Sequence, residues 1–193
     1  MRHLNEPTYI FVILTFILIL VNTILAYVSS ALIPANAAGI SYVFPAVAFM
    51  ILFALWFGGY GVFAAYIGTL VAGVLVNENL AQNTQIAVLW AVAGLLQALI
   101  PLVAARSFEV DLTLETRRDI TIIVLFGVII NNLIGAAWGA WSLGLLTPET
   151  MGSVFSAWFI GNIIVCLVIV LPCLKFLTPR IQASRVFVKN YWF

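Results

Sequence analysis

Three amide side chains are the residues best placed to bind something in this sequence. Asn131 and Asn132 lie midway along one long apolar stretch, and Asn162 lies within the next. An amide without a partner is costly in hydrocarbon, so each side chain must meet another polar group, a water molecule or a ligand. Two interpretations stay open: hydrogen bonds between helices, or a pocket that opens outward for a small, largely uncharged ligand.

Indoles and a glutamine accompany these amides toward the predicted outer ends of the stretches. An indole combines a large apolar surface with one N–H donor, which suits the lid of a pocket and equally an aromatic belt at the membrane interface. We predict that the three amides converge beneath the indoles of the last two stretches. The candidate ligand-binding residues are Asn131, Asn132, Asn162, Trp138, Trp141, Trp158, Gln85 and Trp90.

Ionisable side chains do not occur well inside the apolar stretches. Lys175 lies near the inner end of its stretch, where its stem can reach the interface. Ion-driven transporters and voltage sensors use charged groups within the bilayer, so this pattern argues against both. Because the single histidine is His3, neither a Ser-His-Asp set nor a metal-ligand cluster can be assembled. We therefore predict no enzyme activity, no metal and no cofactor.

The two cysteines, Cys166 and Cys173, are seven residues apart in one apolar stretch. On a helix this spacing puts them on one face, roughly 10 Å apart. That separation is too large for a disulfide, whose Cα atoms lie at most about 7 Å apart. We interpret both as small packing residues.

Composition identifies the environment of these residues. Of the 193 residues, 64% are hydrophobic and 8% are charged, and the mean hydropathy is +1.17, whereas soluble domains carry roughly 25% charged residues. A net charge of +1 offers no basic stripe for a nucleic acid. The sequence predicts a single transmembrane domain over residues 1–193, in a lipid bilayer and without a soluble domain.

The apolar stretches predict an all-α bundle of six transmembrane helices, each able to cross a core of ~30 Å. The second and third are joined by the turn Gly58–Gly61, which predicts a helical hairpin. The first could be a secretory signal ending near Ala35–Ala37, but its apolar run exceeds the roughly 7–15 residues of a signal core, which favours a retained helix. The predicted spans are Tyr9–Leu32, Tyr42–Phe57, Tyr60–Val76, Thr84–Ala105, Ile120–Leu143 and Val154–Leu177.

The distribution of Lys and Arg predicts the orientation, because basic residues mark cytoplasmic loops. With six spans and a cytoplasmic amino terminus, all eight basic residues fall on the cytoplasmic side. The outer connections, Ile33–Ser41, Asn77–Asn83 and Gly144–Ser153, contain none. We therefore predict a multi-pass protein of the plasma membrane with both termini in the cytoplasm.

Two further segments suggest contacts with partners. The mixed-charge loop from Ser107 to Asp119 is typical of a solvated connector or a short interfacial helix, and it could also dock a cytoplasmic or membrane partner. Gly135 and Gly139 have the GxxxG spacing that lets helix backbones approach closely. This spacing predicts tight packing and allows a homodimer through these two glycines.

From the second helix onward, short motifs follow one another in a fixed order: Phe44-Pro45, Phe57-Gly58-Gly59, Ile67-Gly68-Thr69, Leu112 through Arg118-Asp119, Gly127, Gly135, Gly139, Trp158 through Asn162 and Leu171-Pro172. In this order of features the chain resembles the membrane-associated sensor (MASE-type) domain of bacterial histidine kinases and cyclic-dinucleotide enzymes. The resemblance implies a domain that senses a small molecule or another signal and acts with a separate partner. The family usually has an Asp where this chain has Asn162.

The chain is also similar in size, helix number and inward termini to the substrate-binding S components of energy-coupling-factor vitamin transporters. That resemblance implies a vitamin site at the outer side. S components usually carry an Ala-x-x-x-Ala contact motif in the first helix, where this chain has bulky residues over Phe11–Leu18. The S component is therefore the alternative to the sensor.

Overall fold

A computed structural model describes residues 9–32 and 43–192, and all regular structure within them is helical. Five segments are long and apolar enough to cross a bilayer, namely Tyr9–Ala31, Gly59–Val76, Thr84–Ser107, Arg117–Gly144 and Met151–Gln182. The all-α membrane class is thereby confirmed. In chain order the elements are α1 (Tyr9–Leu32), α2 (Ala46–Phe57), α3 (Gly59–Val76), α4 (Glu78–Gln82), α5 (Thr84–Ser107), α6 (Arg117–Ile122), a π-helix (Ile123–Ile130), α7 (Asn131–Gly144), a 3₁₀ turn (Pro148–Thr150) and α8 (Met151–Gln182).

Helix α2 forms the centre of the bundle. It is apolar on all sides, as expected for a helix surrounded by protein, and ten of its 12 residues are buried. At 1.5 Å per residue it is about 18 Å long, shorter than the ~30 Å core that the predicted second span was expected to cross. Val43 and Phe44, which belong to that predicted span, are not helical.

Gly58 forms the turn between α2 and α3. Its backbone has φ +61° and ψ −138°, a conformation open to glycine and strained for other residues. The packing of α3 against α2 is so close that a Cβ on Gly61 would overlap the backbone of Phe53. The predicted hairpin is therefore present, with a single residue between its helices.

The loop between α5 and α6 is folded into the bundle. Val110, Leu112 and Leu114 are buried in the main apolar core together with residues of α2 and α8. No helix forms between Phe108 and Thr116, so this part is not an interfacial helix; it is a connector whose charged residues Glu109, Asp111 and Glu115 are exposed and whose apolar side is buried. Because charged and apolar residues alternate in this loop, its buried side was not recognised from the sequence.

The segment after α8 returns to the α2–α3 turn, and we call residues 183–192 the tail. Val188 is fully buried and its N–H donates to Trp56 O at 2.9 Å. Arg106 fixes the tail by donating to the carbonyls of Val188 at 2.7 Å and Asn190 at 3.0 Å. A Cβ on Gly59 would overlap the indole of Trp192.

The two ends of the bundle differ in charge. The basic end contains the α5–α6 loop, the end of α8 and the tail, and its basic residues are Arg106, Arg117, Arg118, Lys175, Arg180, Arg185 and Lys189. The opposite end, formed by the α3–α4–α5 and α7–α8 connections, has no Lys or Arg in residues 76–84 and 144–153. We call it the cation-free end.

Several sequence predictions fall on residues that lie outside the described ranges. They are the basic residue Arg2, the outer connection from Ile33 to Ser41 and the cleavage-like Ala35–Ala37 within it.

Candidate functional site

A cavity opens at the cation-free end among α1, α2, α3, α5 and α8. It offers about 50 Å³ to the centre of a water molecule, within about 570 Å³ of empty space that includes its mouth. One ordered water needs about 10–15 Å³ of such space, so the enclosed part takes about three to five waters, and a ring-sized ligand would occupy the open mouth as well. Its lining residues are Ser30, Phe44, Met50, Thr69, Gly73, Val76, Asn77, Leu80, Trp90, Gln97, Trp158 and Asn162.

Two indoles form one wall of this cavity, and each lies against a glycine of a neighbouring helix. A Cβ on Gly73 would overlap the ring of Trp90, and a Cβ on Gly139 would overlap the ring of Trp158. The ring centroids of the two indoles are 5.9 Å apart and their planes are inclined by 59°. The glycines therefore position an aromatic pair on the α5 and α8 sides of the cavity.

Three buried N–H groups of cavity-lining side chains lack an acceptor among the described residues. They are the indole N–H of Trp90, the indole N–H of Trp158 and the amide Nδ2 of Asn162. These side chains are 9%, 7% and 1% exposed, respectively. A buried donor without an acceptor costs about 1–3 kcal/mol, so this cluster requires an explanation in terms of water or a ligand.

A network of amides lies next to the cavity on the side of α7. Gln97 lines the cavity and its Nε2 donates to Asn132 Oδ1 at 2.7 Å. Asn131 Nδ2 donates to the Gln97 carbonyl at 3.2 Å, and Asn132 Nδ2 contacts Val128 O at 2.8 Å and Cys166 Sγ at 3.4 Å. Gln97 thus connects the cavity to α7 and to the π-helix that precedes it.

The predicted site residues consequently separate into three groups: those that line the cavity, those in the adjoining amide network, and those outside both. Asn162, Trp158 and Trp90 line the cavity, whereas Asn131 and Asn132 are fully buried in the adjoining network. All three asparagines are buried, and Gln97 links the pair on α7 to the cavity. Of the three indoles that were predicted to lie above the asparagines, Trp158 alone lines the cavity.

Trp138, Trp141 and Gln85 lie away from the cavity. The Trp138 N–H donates to Leu89 O at 2.8 Å, and Trp141 packs edge-on against Trp138 while 43% of its surface stays exposed. Gln85 is exposed in the first turn of α5. At 100° per residue it lies about 140° around the helix from Trp90, which explains why Gln85 and Trp90 do not share a face.

Sequence reasoning missed several lining residues, among them Ser30, Thr69 and Gly73. Three small residues spaced by four, Ala64, Gly68 and Ala72, form a neighbouring stripe on α3, where Gly68 packs against Asn22 of α1. Asn22 itself is fully buried, and its Oδ1 has no partner in the described part of the chain. Hydroxyls and glycines are common in packed membrane helices, so no pattern singled these residues out.

The structure bears on two packing predictions, one for the glycines of the GxxxG spacing and one for the two cysteines. The glycines of the GxxxG spacing are buried, with Gly135 against Gln97 of α5 and Gly139 against Trp158 of α8. Close helix packing is thus confirmed, and the predicted homodimer has no free surface at these two positions. Cys166 and Cys173 are free thiols.

No protein-family model, curated protein or solved structure matches this chain. The resemblances to sensor domains and S components stay predictions from the residues quoted above. The cavity is therefore the feature of this protein that points to a function.

Proposed function

We propose that this protein is a membrane receptor for a small molecule, which enters the cavity from the outer side and is reported to a separate partner, as the MASE-type resemblance implies. The observation that carries the proposal is a set of three cavity-lining donors, at Trp90, Trp158 and Asn162, for which residues 9–32 and 43–192 provide no acceptor. Packing alone does not account for them, because each costs stability until a water or ligand accepts its hydrogen bond.

The proposed topology has six membrane segments with both termini in the cytoplasm, α2 being the short segment enclosed by the others. The basic end then faces the cytoplasm, as the positive-inside rule requires, and the cavity faces outward. Reporter fusions at Gly59, Gln82, Thr113 and Thr147 test this orientation. A reporter at Thr113 that is active outside the cytoplasm would contradict it.

A thermal-shift screen of the purified chain in nanodiscs tests the receptor proposal. A panel of amino acids, nucleobases, vitamins and heteroaromatic compounds should contain a compound that raises Tm by several degrees. Asn162→Leu should abolish that shift while the variant still inserts and folds. A panel in which no compound raises Tm, or one in which every shift survives Asn162→Leu, would overturn the proposal.

The S component of a vitamin transporter is the second candidate, and the cavity at the cation-free end favours it because such subunits bind their vitamin at the outer side. This candidate requires a stable complex with the shared energising module. Co-expression with that module should then give a co-purifying complex and vitamin uptake. Ligand binding without complex formation would favour the sensor.

A further inference from the structure

We propose that the ligand is a neutral, planar molecule of one or two rings that presents at least two hydrogen-bond acceptors, such as ring nitrogens or carbonyl oxygens, to the wall made by Trp90, Trp158 and Asn162. This inference rests on the proposed receptor function and adds the chemical class of the ligand. The charge of the cavity lining, its hydrogen-bonding capacity and the geometry of the two indoles each support this ligand class.

The charge of the lining argues for a neutral ligand. Every residue that lines the cavity is uncharged, and its polar members apart from the indoles are Ser30, Thr69, Asn77, Gln97 and Asn162. An ion that leaves water needs a partner of opposite charge, or its desolvation is not offset. A carboxylate or an ammonium group would find no such partner among these side chains.

The hydrogen-bonding capacity of the lining argues for acceptors on the ligand. The three groups of cavity-lining side chains that lack a partner among the described residues are all N–H donors, whereas the unpartnered acceptors Asn22 Oδ1 and Asn131 Oδ1 belong to side chains that do not line the cavity. Among the nearby amides, Gln97 Nε2 donates to Asn132 Oδ1, and Asn77 Oδ1 accepts from Asn79 N and Leu80 N. A ligand rich in donors would leave the three N–H groups unsatisfied, whereas a ligand with acceptors would satisfy them.

The geometry of the indoles argues for a planar ligand. Their centroids are 5.9 Å apart at an inclination of 59°, and aromatic rings prefer such offset or edge contacts over a parallel sandwich. Met50 also lines the cavity, and thioethers make favourable contacts with ring edges. A flat ring system can therefore pack against the indole pair, next to side chains whose N–H groups lack an acceptor among the described residues.

The test compares matched probes that differ only in their acceptors. Quinoxaline carries two ring nitrogens and no donor, naphthalene has the same shape without acceptors, and quinoxaline-2-carboxylate adds a negative charge. Binding to the full chain in nanodiscs is followed by tryptophan fluorescence, with empty nanodiscs correcting for partition into lipid. We expect quinoxaline to bind about 10-fold more tightly than naphthalene, as two hydrogen bonds of ordinary strength would give. The carboxylate should bind more weakly than quinoxaline.

Matched variants assign this preference to the two indoles. Trp90→Phe and Trp158→Phe keep a ring but remove the N–H, so each should reduce the quinoxaline preference about 3-fold or more. Trp141→Phe is the control, because that indole is exposed outside the cavity. It should leave the preference unchanged.

The outcomes separate this inference from the receptor proposal. Equal binding of naphthalene and quinoxaline, or a preference that persists in both Trp90→Phe and Trp158→Phe, would overturn the ligand class. If a charged or aliphatic compound raises Tm and Asn162→Leu abolishes that shift, the receptor proposal stands and the ligand class is wrong. If waters alone occupy the cavity, no probe binds better to the protein than to empty nanodiscs, and the inference is overturned.

Discussion

Trp56 at the basic end and Trp158 at the cation-free end are buried to almost the same degree, with 5% and 7% of their surfaces exposed. The Trp56 N–H donates to Thr178 Oγ1 at 3.0 Å, whereas the Trp158 N–H has no acceptor among the described residues. Two residues of one type and equal burial therefore differ in whether their polar group is satisfied. Burial alone does not distinguish a structural indole from one available for binding.

The same difference extends to the charged and amide groups of the two ends. At the basic end, Arg106 also donates to Leu55 O at 3.0 Å, and the buried Asp119 accepts from Thr116 Oγ1 at 2.6 Å. At the cation-free end, Asn162 lines the cavity and its Nδ2 has no acceptor in the described part of the chain. The proposed function accordingly assigns stability to the basic end and binding to the cation-free end. Substitutions at the two ends should therefore have opposite profiles.

The largest loss of stability is expected from Gly58→Ala at the basic end. The alanine would be strained at φ +61°, and its Cβ would overlap the Tyr191 carbonyl of the tail. We expect the free energy of unfolding to fall by about 2–4 kcal/mol, since strain of this kind costs about 1–3 kcal/mol and tail contacts are lost as well. Denaturant titration in mixed micelles measures this change.

Gly152→Ala is the matched control for that prediction. Gly152 lies in the first turn of α8 with open space where its Cβ would be, so alanine should leave stability unchanged or raise it by up to about 1 kcal/mol. Equal losses in the two variants would contradict the structural role of the α2–α3 turn.

A smaller loss is expected from Gln97→Leu, at the boundary between the two regions. The substitution leaves Asn132 Oδ1 buried without its donor, and interhelical hydrogen bonds in membranes contribute about 0.6 kcal/mol on average and up to about 1.7 kcal/mol. We expect a loss of about 1–2 kcal/mol in the same titration. A double-mutant cycle with Asn132→Leu should give a coupling energy near 1 kcal/mol; strict additivity would show that this contact contributes nothing.

Asn162→Leu should change stability still less and binding much more. Removing a donor that has no acceptor eliminates an unsatisfied group, so the free energy of unfolding should change by about 1 kcal/mol or less. The ligand response should nevertheless be lost. Thermal unfolding with and without a panel compound measures both effects. A large loss of stability would instead identify Asn162 as a structural residue, like Trp56.

The smallest effects are expected for Gln85→Ala and Trp141→Phe, which alter predicted site residues that lie outside the cavity. Both side chains are exposed, and substitutions at such positions usually change stability by about 0.5 kcal/mol or less. Ligand binding should also be unchanged in either variant. A loss of binding in Gln85→Ala would show that the site extends beyond the cavity described.

Long-range periodicity and length made the helices predictable, because a membrane helix satisfies its backbone hydrogen bonds internally and its sequence reveals its extent. The bounds of α1 were predicted in full, and those of α3 and α5 to within two residues. The choice of cavity residues was only partly predictable. Whether an amide faces a cavity or another amide depends on helix rotation, and hydropathy does not report rotation in a helix that is apolar all round.

The folded loop and the π-helix were not predictable for a different reason. Burial of Leu112 and Leu114 depends on contacts with α2 and α8, which are distant in sequence. The π-helix Ile123–Ile130 has the same apolar composition as an α-helix of a membrane span. Its wider hydrogen-bond ring is a response to packing and has no residue signature in this segment.

The docking of the tail on the α2–α3 turn has a consequence for the order in which the protein is made. Trp56 and Gly59 emerge from the ribosome more than 120 residues before Val188 and Tyr191, to which they are hydrogen-bonded in the folded chain. Insertion of α2 and α3 must therefore precede the final closure of their turn, and contacts of such sequence separation form slowly because a long loop has to close. We expect nascent chains arrested before residue 188 to be inserted yet more sensitive to protease at Gly58 than released ones.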